Sequence, residues 1–282
     1  MNKEEIKTQK YKKRAEELNK RVTELDLVRG VCVILMVLDH AMYDFIGVLP
    51  FVFYDYPRDG FSQTLYDAAA FYWTWDVRFV VRIVVISCFL LLTGICCSFS
   101  RSNLKRGLKL LGVAVVITIC TLVAGKIMGD DELLITFGIL HCIALALLLC
   151  SLIERFSSQK YVYALIGGLM IIIGLVILDF NQYSYSDAPS LFVAVLRQIL
   201  GKGMYGADSY SFFVFGGQVV FGVFIGKLLY PERKSFLFKK GYYDNPLTFV
   251  GRHSLWVYVV HQVVLPVLFS VILLICGFSL AI

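Results

Sequence analysis

A chain of 282 residues that is 58% hydrophobic and only 17% charged, with a mean hydropathy of +0.73 and a net charge of +6, cannot clothe a soluble core in polar surface. Lipid must be its main solvent. No P-loop, G-x-S-x-G, H-E-x-x-H or dinucleotide G-x-G-x-x-G stands in a usable context, so the common chemistries of soluble enzymes find no foothold.

Residues 1–26 are rich in Lys and Glu, with eight bases against five acids through Glu24. Tyr11, Ala15, Leu18, Val22 and Leu25 recur at steps of four and three, which predicts a short amphipathic helix lying on the anionic inner leaflet. The first apolar run begins at Leu27, is too long for a signal peptide and has no cleavage site, so it is expected to stay in the mature protein. Crossing a hydrocarbon layer of about 30 Å takes about 20 mostly apolar residues. Seven runs have that length: 27–50, 79–99, 107–127, 133–153, 161–179, 211–230 and 249–276. They predict an all-α, polytopic transmembrane helical bundle, with 27–282 as one membrane domain.

Lys and Arg concentrate in cytoplasmic loops. Arg101, Lys105, Arg106 and Lys109 follow the second run without an acid, and Arg233, Lys234, Lys239, Lys240 and Arg252 follow the sixth. The alternate loops carry Asp55, Asp59, Asp67 and Asp76, then Asp130, Asp131 and Glu132, then Asp179, Asp187 and Asp208. The N-terminus is therefore expected inside and the C-terminus outside, in a multi-pass protein of the cell (plasma) membrane. Eight cysteines, Cys32, Cys88, Cys96, Cys97, Cys120, Cys142, Cys150 and Cys276, lie in the apolar runs without a C-x-x-C pair and read as structural thiols at helix contacts.

Ionisable groups at membrane depth are costly and mark candidate sites. Arg29, Asp39, His40 and Asp44 in the first run, Arg82 in the second, His141 in the fourth and His261 in the seventh stand out. Asp26, Arg29, Val33, Met36, His40 and Asp44 follow steps of three or four and form one stripe of the first helix. Arg29 and His40 are separated by about 16 Å of helix rise, which puts Arg29 at the cytoplasmic mouth and His40 in the interior. Asp44, one turn beyond, is placed to hydrogen-bond the imidazole and fix its tautomer. By helix rise His40 lies about 20 Å from Leu27, His261 about 17 Å from Val250, and His141 about 12 Å below an outer end at Leu133, one level for all three. Each alone would also serve as an interhelical hydrogen-bonder. His253 falls at the inner interface, and Arg82 is either a snorkelling anchor or a partner for Asp76 or Asp44.

The outer segments 51–78 and 180–210 have room for a lid and are aromatic, with Tyr54, Tyr56, Tyr66, Phe71, Tyr72, Trp73 and Trp75, then Tyr183, Tyr185, Tyr205 and Tyr210. They suit an interfacial belt or stacking on a sugar. The Arg101, Lys105, Arg106 and Lys109 cluster follows from topology, and it also suits the phosphates of a cytoplasmic donor.

Glu24-Leu-Asp-Leu-Val-Arg29-Gly30, running on through Ile34-Leu-Met-Val-Leu-Asp39-His40, resembles the opening helix of bacterial membrane proteins related to the catalytic domain of heparan-α-glucosaminide N-acetyltransferase. Leu91-Leu-Thr-Gly94, Phe137-Gly-Ile-Leu-His141 and Gly251-Arg-His-Ser-Leu-Trp-Val-Tyr-Val-Val-His261-Gln fit the same family, so the resemblance covers nearly the whole chain. The Arg-x10-His arrangement of Arg29 and His40 is also similar to the acyltransferase-3 family, whose corresponding His is held to be catalytic. The resemblance implies acyl transfer from a cytoplasmic acyl-CoA to an acceptor reached from outside.

The leading reading is thus an integral membrane acyltransferase, moving an acetyl or other acyl group from acetyl-CoA or another acyl-CoA to a saccharide or other polar acceptor. His40, Asp44, His141 and His261 are its candidate catalytic residues, and Arg29, Arg101, Lys105 and Arg106 its candidate donor-binding residues, with no metal expected. The expected partners are acyl-CoA, the acceptor and the lipid bilayer, with no nucleic acid and room for a homodimer. Two other readings use the same side chains: a metal or haem protein ligated by His40, His141 and His261, and a proton-coupled transporter.

Overall fold

The computed structural model describes residues 5, 9, 18–19, 21–58, 60–206, 208–238 and 241–281. Tyr11 and Ala15, and with them most of the expected inner-leaflet helix, lie outside the described residues, as do Asp59, Lys239 and Lys240. In chain order the elements are α1 (Thr23–Tyr43), α2 (Gly60–Thr74), α3 (Asp76–Cys97), α4 (Asn103–Met128), α5 (Ile139–Phe156), α6 (Lys160–Ile177), β1 (Asp179–Tyr183), α7 (Leu191–Leu200), β2 (Lys202–Tyr205), α8 (Gly217–Leu229), α9 (Pro246–Arg252) and α10 (Ser254–Ile275). Among the described residues seven helices are long and apolar enough to cross a membrane: Thr23–Val52, Asp76–Cys97, Asn103–Ile127, Ile139–Phe156, Lys160–Ile177, Phe212–Leu229 and Ser254–Ile275. The protein is an all-α polytopic membrane protein, with one small parallel strand pair, β1 with β2, added. Backbone packing divides it into two compact units, the residues up to Phe89 with those from Lys234 onward, and Leu90–Arg233.

In the first unit, Glu24 and Asp26 in the first turn of α1 complement the helix dipole. The helix continues through a π turn, Asp44–Val48, into a last turn, Leu49–Val52. Pro50 accounts for the wide turn, because it has no N–H to give the carbonyl one turn back and its ring crowds that carbonyl. α9 is started by Asn245, whose side chain accepts from the Thr248 N–H at 2.8 Å while the Thr248 hydroxyl accepts from the Asn245 N–H at 2.9 Å. It crosses α1 backbone to backbone: a Cβ on Gly30 would overlap the Leu247 carbonyl, and one on Gly251 the Asp26 carbonyl.

From that crossing α1 and α10 run side by side in the same direction. The Phe45 and Phe269 rings meet at 4.7 Å, and at the far end the Ala281 N–H donates to the Val52 carbonyl at 2.9 Å. Leu49, Phe53, Tyr56 and Phe278 form a buried core there, and the Arg58 guanidinium lies 4.2 Å over the Phe278 ring. The run 249–276 is not one helix, as its apolar pattern predicts. It breaks at His253, whose N–H and ring Nδ1 both go to the Phe249 carbonyl, at 3.2 and 2.8 Å, ending α9 before α10 begins.

The second unit is a set of antiparallel hairpins. α4 starts on Ser102, whose hydroxyl accepts from the Lys105 N–H at 3.3 Å, and ends on Gly129 at φ 71°. α5 does not begin at 133. Residue Ile135 is held against α4, its N–H on the Thr121 hydroxyl at 3.1 Å and its carbonyl on the Thr118 hydroxyl at 2.7 Å. The helix starts at Ile139, whose N–H is capped by Asp208 Oδ2 at 3.0 Å. At the other end of α5 and α6 the Lys227 ammonium of α8 donates to the Ser158 carbonyl at 2.8 Å.

The segment 179–210 is a folded cap rather than an open lid. Tyr185 donates to the Leu134 carbonyl at 3.0 Å, Thr136 to Gln198 Oε1 at 2.6 Å, and Gln198 Nε2 to the Tyr205 carbonyl at 2.7 Å. The cap therefore closes the end of the unit where α4 finishes and α5 begins.

Candidate functional site

Two of the membrane histidines meet. α1 and α10 bring the rings of His40 and His261 to 4.9 Å between centroids, edge to face. Each ring reaches back along its own helix: His40 Nδ1 is 2.9 Å from the Met36 carbonyl, and His261 Nδ1 is 2.7 Å from the Tyr258 carbonyl and 3.1 Å from that of Val257. A carbonyl oxygen only accepts, so Nδ1 carries a hydrogen in both rings, and the neutral form of either ring has its lone pair on Nε2. His261 is buried and its Nε2 has no hydrogen-bond partner among the described residues, while His40 is half-buried.

The hydrogen bond expected between Asp44 and His40 is not formed. Helical side chains lean toward the N-terminus, and the imidazole takes the carbonyl one turn back instead of the carboxylate one turn ahead. Asp44 is buried at the start of the π turn, its Oδ2 without a partner among the described residues.

Asp39, adjacent to His40 in sequence, organises the contact of α1 with α2 and the start of α3. Arg78 gives it two parallel bonds, Nε to Oδ1 at 2.8 Å and Nη2 to Oδ2 at 2.9 Å, and the Tyr72 hydroxyl donates to Oδ1 at 3.1 Å. The guanidinium lies 3.5 Å over the Trp73 ring, which packs on Tyr43 at 5.2 Å. Burial, and after it the Asp39 charge, pushes the Tyr72 phenol above its ordinary pKa, keeping it a donor. Tyr54, Phe71 and Trp75 are exposed, as an interfacial belt would be, but Tyr56, Tyr72 and Trp73 are tied into the fold. The sequence points to Asp39 without its partner. The available signal is Arg78, a base at the start of the second run, whereas Arg82 is exposed on α3.

At the N-terminal end of α1 Arg29 pairs with buried Asp26 at 3.5 Å. Asp26 also accepts from Arg21 at 2.7 and 2.9 Å and from the Tyr242 hydroxyl at 3.1 Å. Arg252 donates to Tyr242 at 3.0 Å and to Asp244 at 2.8 Å, and Glu24 accepts from the Ser235 hydroxyl and from the Phe236 N–H. Asp26 and Gly30 from one signature stretch thus fold onto Gly251 from another, and Asp26 and Arg252 share the Tyr242 hydroxyl.

His141 belongs to the second unit. Its Nε2 is 3.2 Å from the Thr118 hydroxyl, whose single hydrogen goes to the Ile135 carbonyl. Thr118 must therefore accept from His141, which carries its hydrogen on Nε2, the opposite tautomer to His40 and His261. It lies in the first turn of α5, so a depth counted by helix rise from Leu133 does not apply to it. Arg101, Lys105 and Arg106 are exposed around the start of α4, with Arg106 donating to the Cys96 carbonyl at 3.3 Å. Among the described residues no three His, Cys, Asp or Glu side chains gather as metal ligands.

Fold and site define a multi-pass helical membrane protein with an imidazole pair between two of its spans. A family model described as heparan-alpha-glucosaminide N-acetyltransferase, catalytic, matches residues 21–263 and so includes His40, Arg78 and His261. The chain belongs to that family and is a membrane-bound acyltransferase. No curated protein and no solved structure matches it significantly.

Proposed function

We propose that this acyltransferase moves an acetyl or other acyl group from cytoplasmic acetyl-CoA or another acyl-CoA to an amine or hydroxyl of a saccharide or other polar acceptor outside the plasma membrane, with His40 as the base. The observation that supports this is the His40–His261 pair, each ring held through Nδ1 by its own helix, inside the family-matched spans. As the acceptor nitrogen or oxygen attacks the thioester carbonyl, its proton passes to His40 Nε2. The tetrahedral intermediate collapses, the C–S bond breaks, and the imidazolium returns the proton to the CoA thiolate. His261, packed edge to face on His40, positions the basic ring. Arg29, Arg101, Lys105 and Arg106 are proposed on charge as contacts to the donor phosphates, and His141 is the next candidate base. Purified protein, labelled acetyl-CoA and a panel of amino and neutral sugars test the reading. His40→Ala should still bind acetyl-CoA and lose transfer; near-normal transfer in that variant would remove the assignment.

A further inference from the structure

α7 is built with its apolar side outward. Its inward face carries buried Ala194 and Gln198, the latter held by Thr136 and the Tyr205 carbonyl. Its outward face carries Leu191, Phe192 and Leu196, which are 52%, 75% and 43% exposed. A helix facing water would reverse this arrangement.

Both spans beside it end at its level. The carbonyl of Gly201, the residue closing α7, accepts from the N–H of Asp179, just past the end of α6, at 2.7 Å. A Cβ on Gly201 would press on Leu178 and on Ser211, the residue before the Phe212–Leu229 span. The last turn of α6 is also apolar and open, with Leu175 59% and Val176 81% exposed. A second copy of the chain is a poor occupant, since three side chains on a helix about 15 Å long cannot supply the roughly 800 Å² per partner of a standard protein interface.

We propose that α7 is an in-plane anchor, its Leu191, Phe192 and Leu196 face sunk into the lipid leaflet at the end of the second unit opposite the basic start of α4. Gln198 on its other face ties that anchor to Thr136, and Asp208, further along the cap, caps α5. Lipid contact thereby sets the depth of the whole cap.

Tryptophan reporters test this in phosphatidylcholine vesicles brominated either high or low on the acyl chains, reading the emission gained over the parent chain. Phe192→Trp and, independently, Leu196→Trp should add blue-shifted emission that is largely lost in brominated vesicles, more with the high bromines, and unchanged by aqueous iodide. Quenching by iodide without a bromine effect would put the face in water. Protection from both quenchers would put protein over it, a second copy included. Either result overturns the proposal, and because both side chains point outward the two variants do not depend on repacking the interior.

Discussion

His40 and Asp39 are neighbours in sequence and have separate jobs, because successive residues of a helix point about 100° apart. His40 turns toward His261, and Asp39 toward Arg78. Removing a base of this kind lowers turnover by about 10²–10⁴, so His40→Ala should show that loss with acetyl-CoA affinity retained, as read by equilibrium binding and single-turnover transfer. Asp44→Asn should cost much less, since the carboxylate hydrogen-bonds neither imidazole. Asp39→Asn is predicted to act on stability. The Asp39 and Arg78 side chains are only 16% and 7% exposed, and breaking a buried pair by removing one partner costs on the order of 3 kcal/mol. Thermal unfolding in detergent should show the loss, and Arg78→Gln added to Asp39→Asn should cost less than the sum of the two single changes. Strict additivity would show that the pair does not interact.

At the scale of elements, the α1–α9 crossing is the contact that tolerates least. Gly251→Ala would drive a methyl group into the Asp26 carbonyl, and backbone against backbone cannot yield as a side chain can. It should fold poorly or melt well below the parent, whereas Gly168→Ala, where a Cβ meets nothing within 4 Å, should be neutral or slightly stabilising. Size-exclusion profiles and melting curves of the two variants check this, and equal behaviour would refute it. The contrast also explains what the sequence could disclose. The spans were legible because bilayer thickness sets a length that apolar runs must meet. Their ends were not, since α5 is capped by Asp208, far along the chain, and α9 is closed by the ring of His253 inside the run 249–276. The stripe through Arg29 and His40 was legible from helical period. The partners across helices, His261 for His40 and Arg78 for Asp39, follow from packing, which a period on one helix does not contain. The expected Asp44–His40 hydrogen bond fails for a related reason: spacing places two residues one turn apart but does not say which way a ring will lean.

At the scale of the molecule, the alternation of basic and acidic loops acquires a physical basis in the second unit. The turn between α5 and α6 sits with the Lys227 end of α8, while the cap is bonded to the chain that leads into α5, at the other end of the same helices. Ser158 in that turn and Ser186 in the cap are both exposed, and neither side chain caps a helix, so cysteine at either position should leave the fold intact. In a Cys276→Ser background a charged, membrane-impermeant maleimide applied to intact cells should label Ser186→Cys and reach Ser158→Cys only after the membrane is opened. The remaining native thiols lie within the spans, where a charged reagent does not go. Labelling of both positions from the same side would contradict a membrane-crossing path for α6, and with it the proposed separation of a cytoplasmic donor from an outer acceptor. The reverse pattern would keep the spans but invert the orientation read from Lys and Arg, placing the cap inside. Labelling on opposite faces in the expected sense would put the α7 anchor in the outer leaflet and leave acyl transfer across the membrane as the consistent geometry.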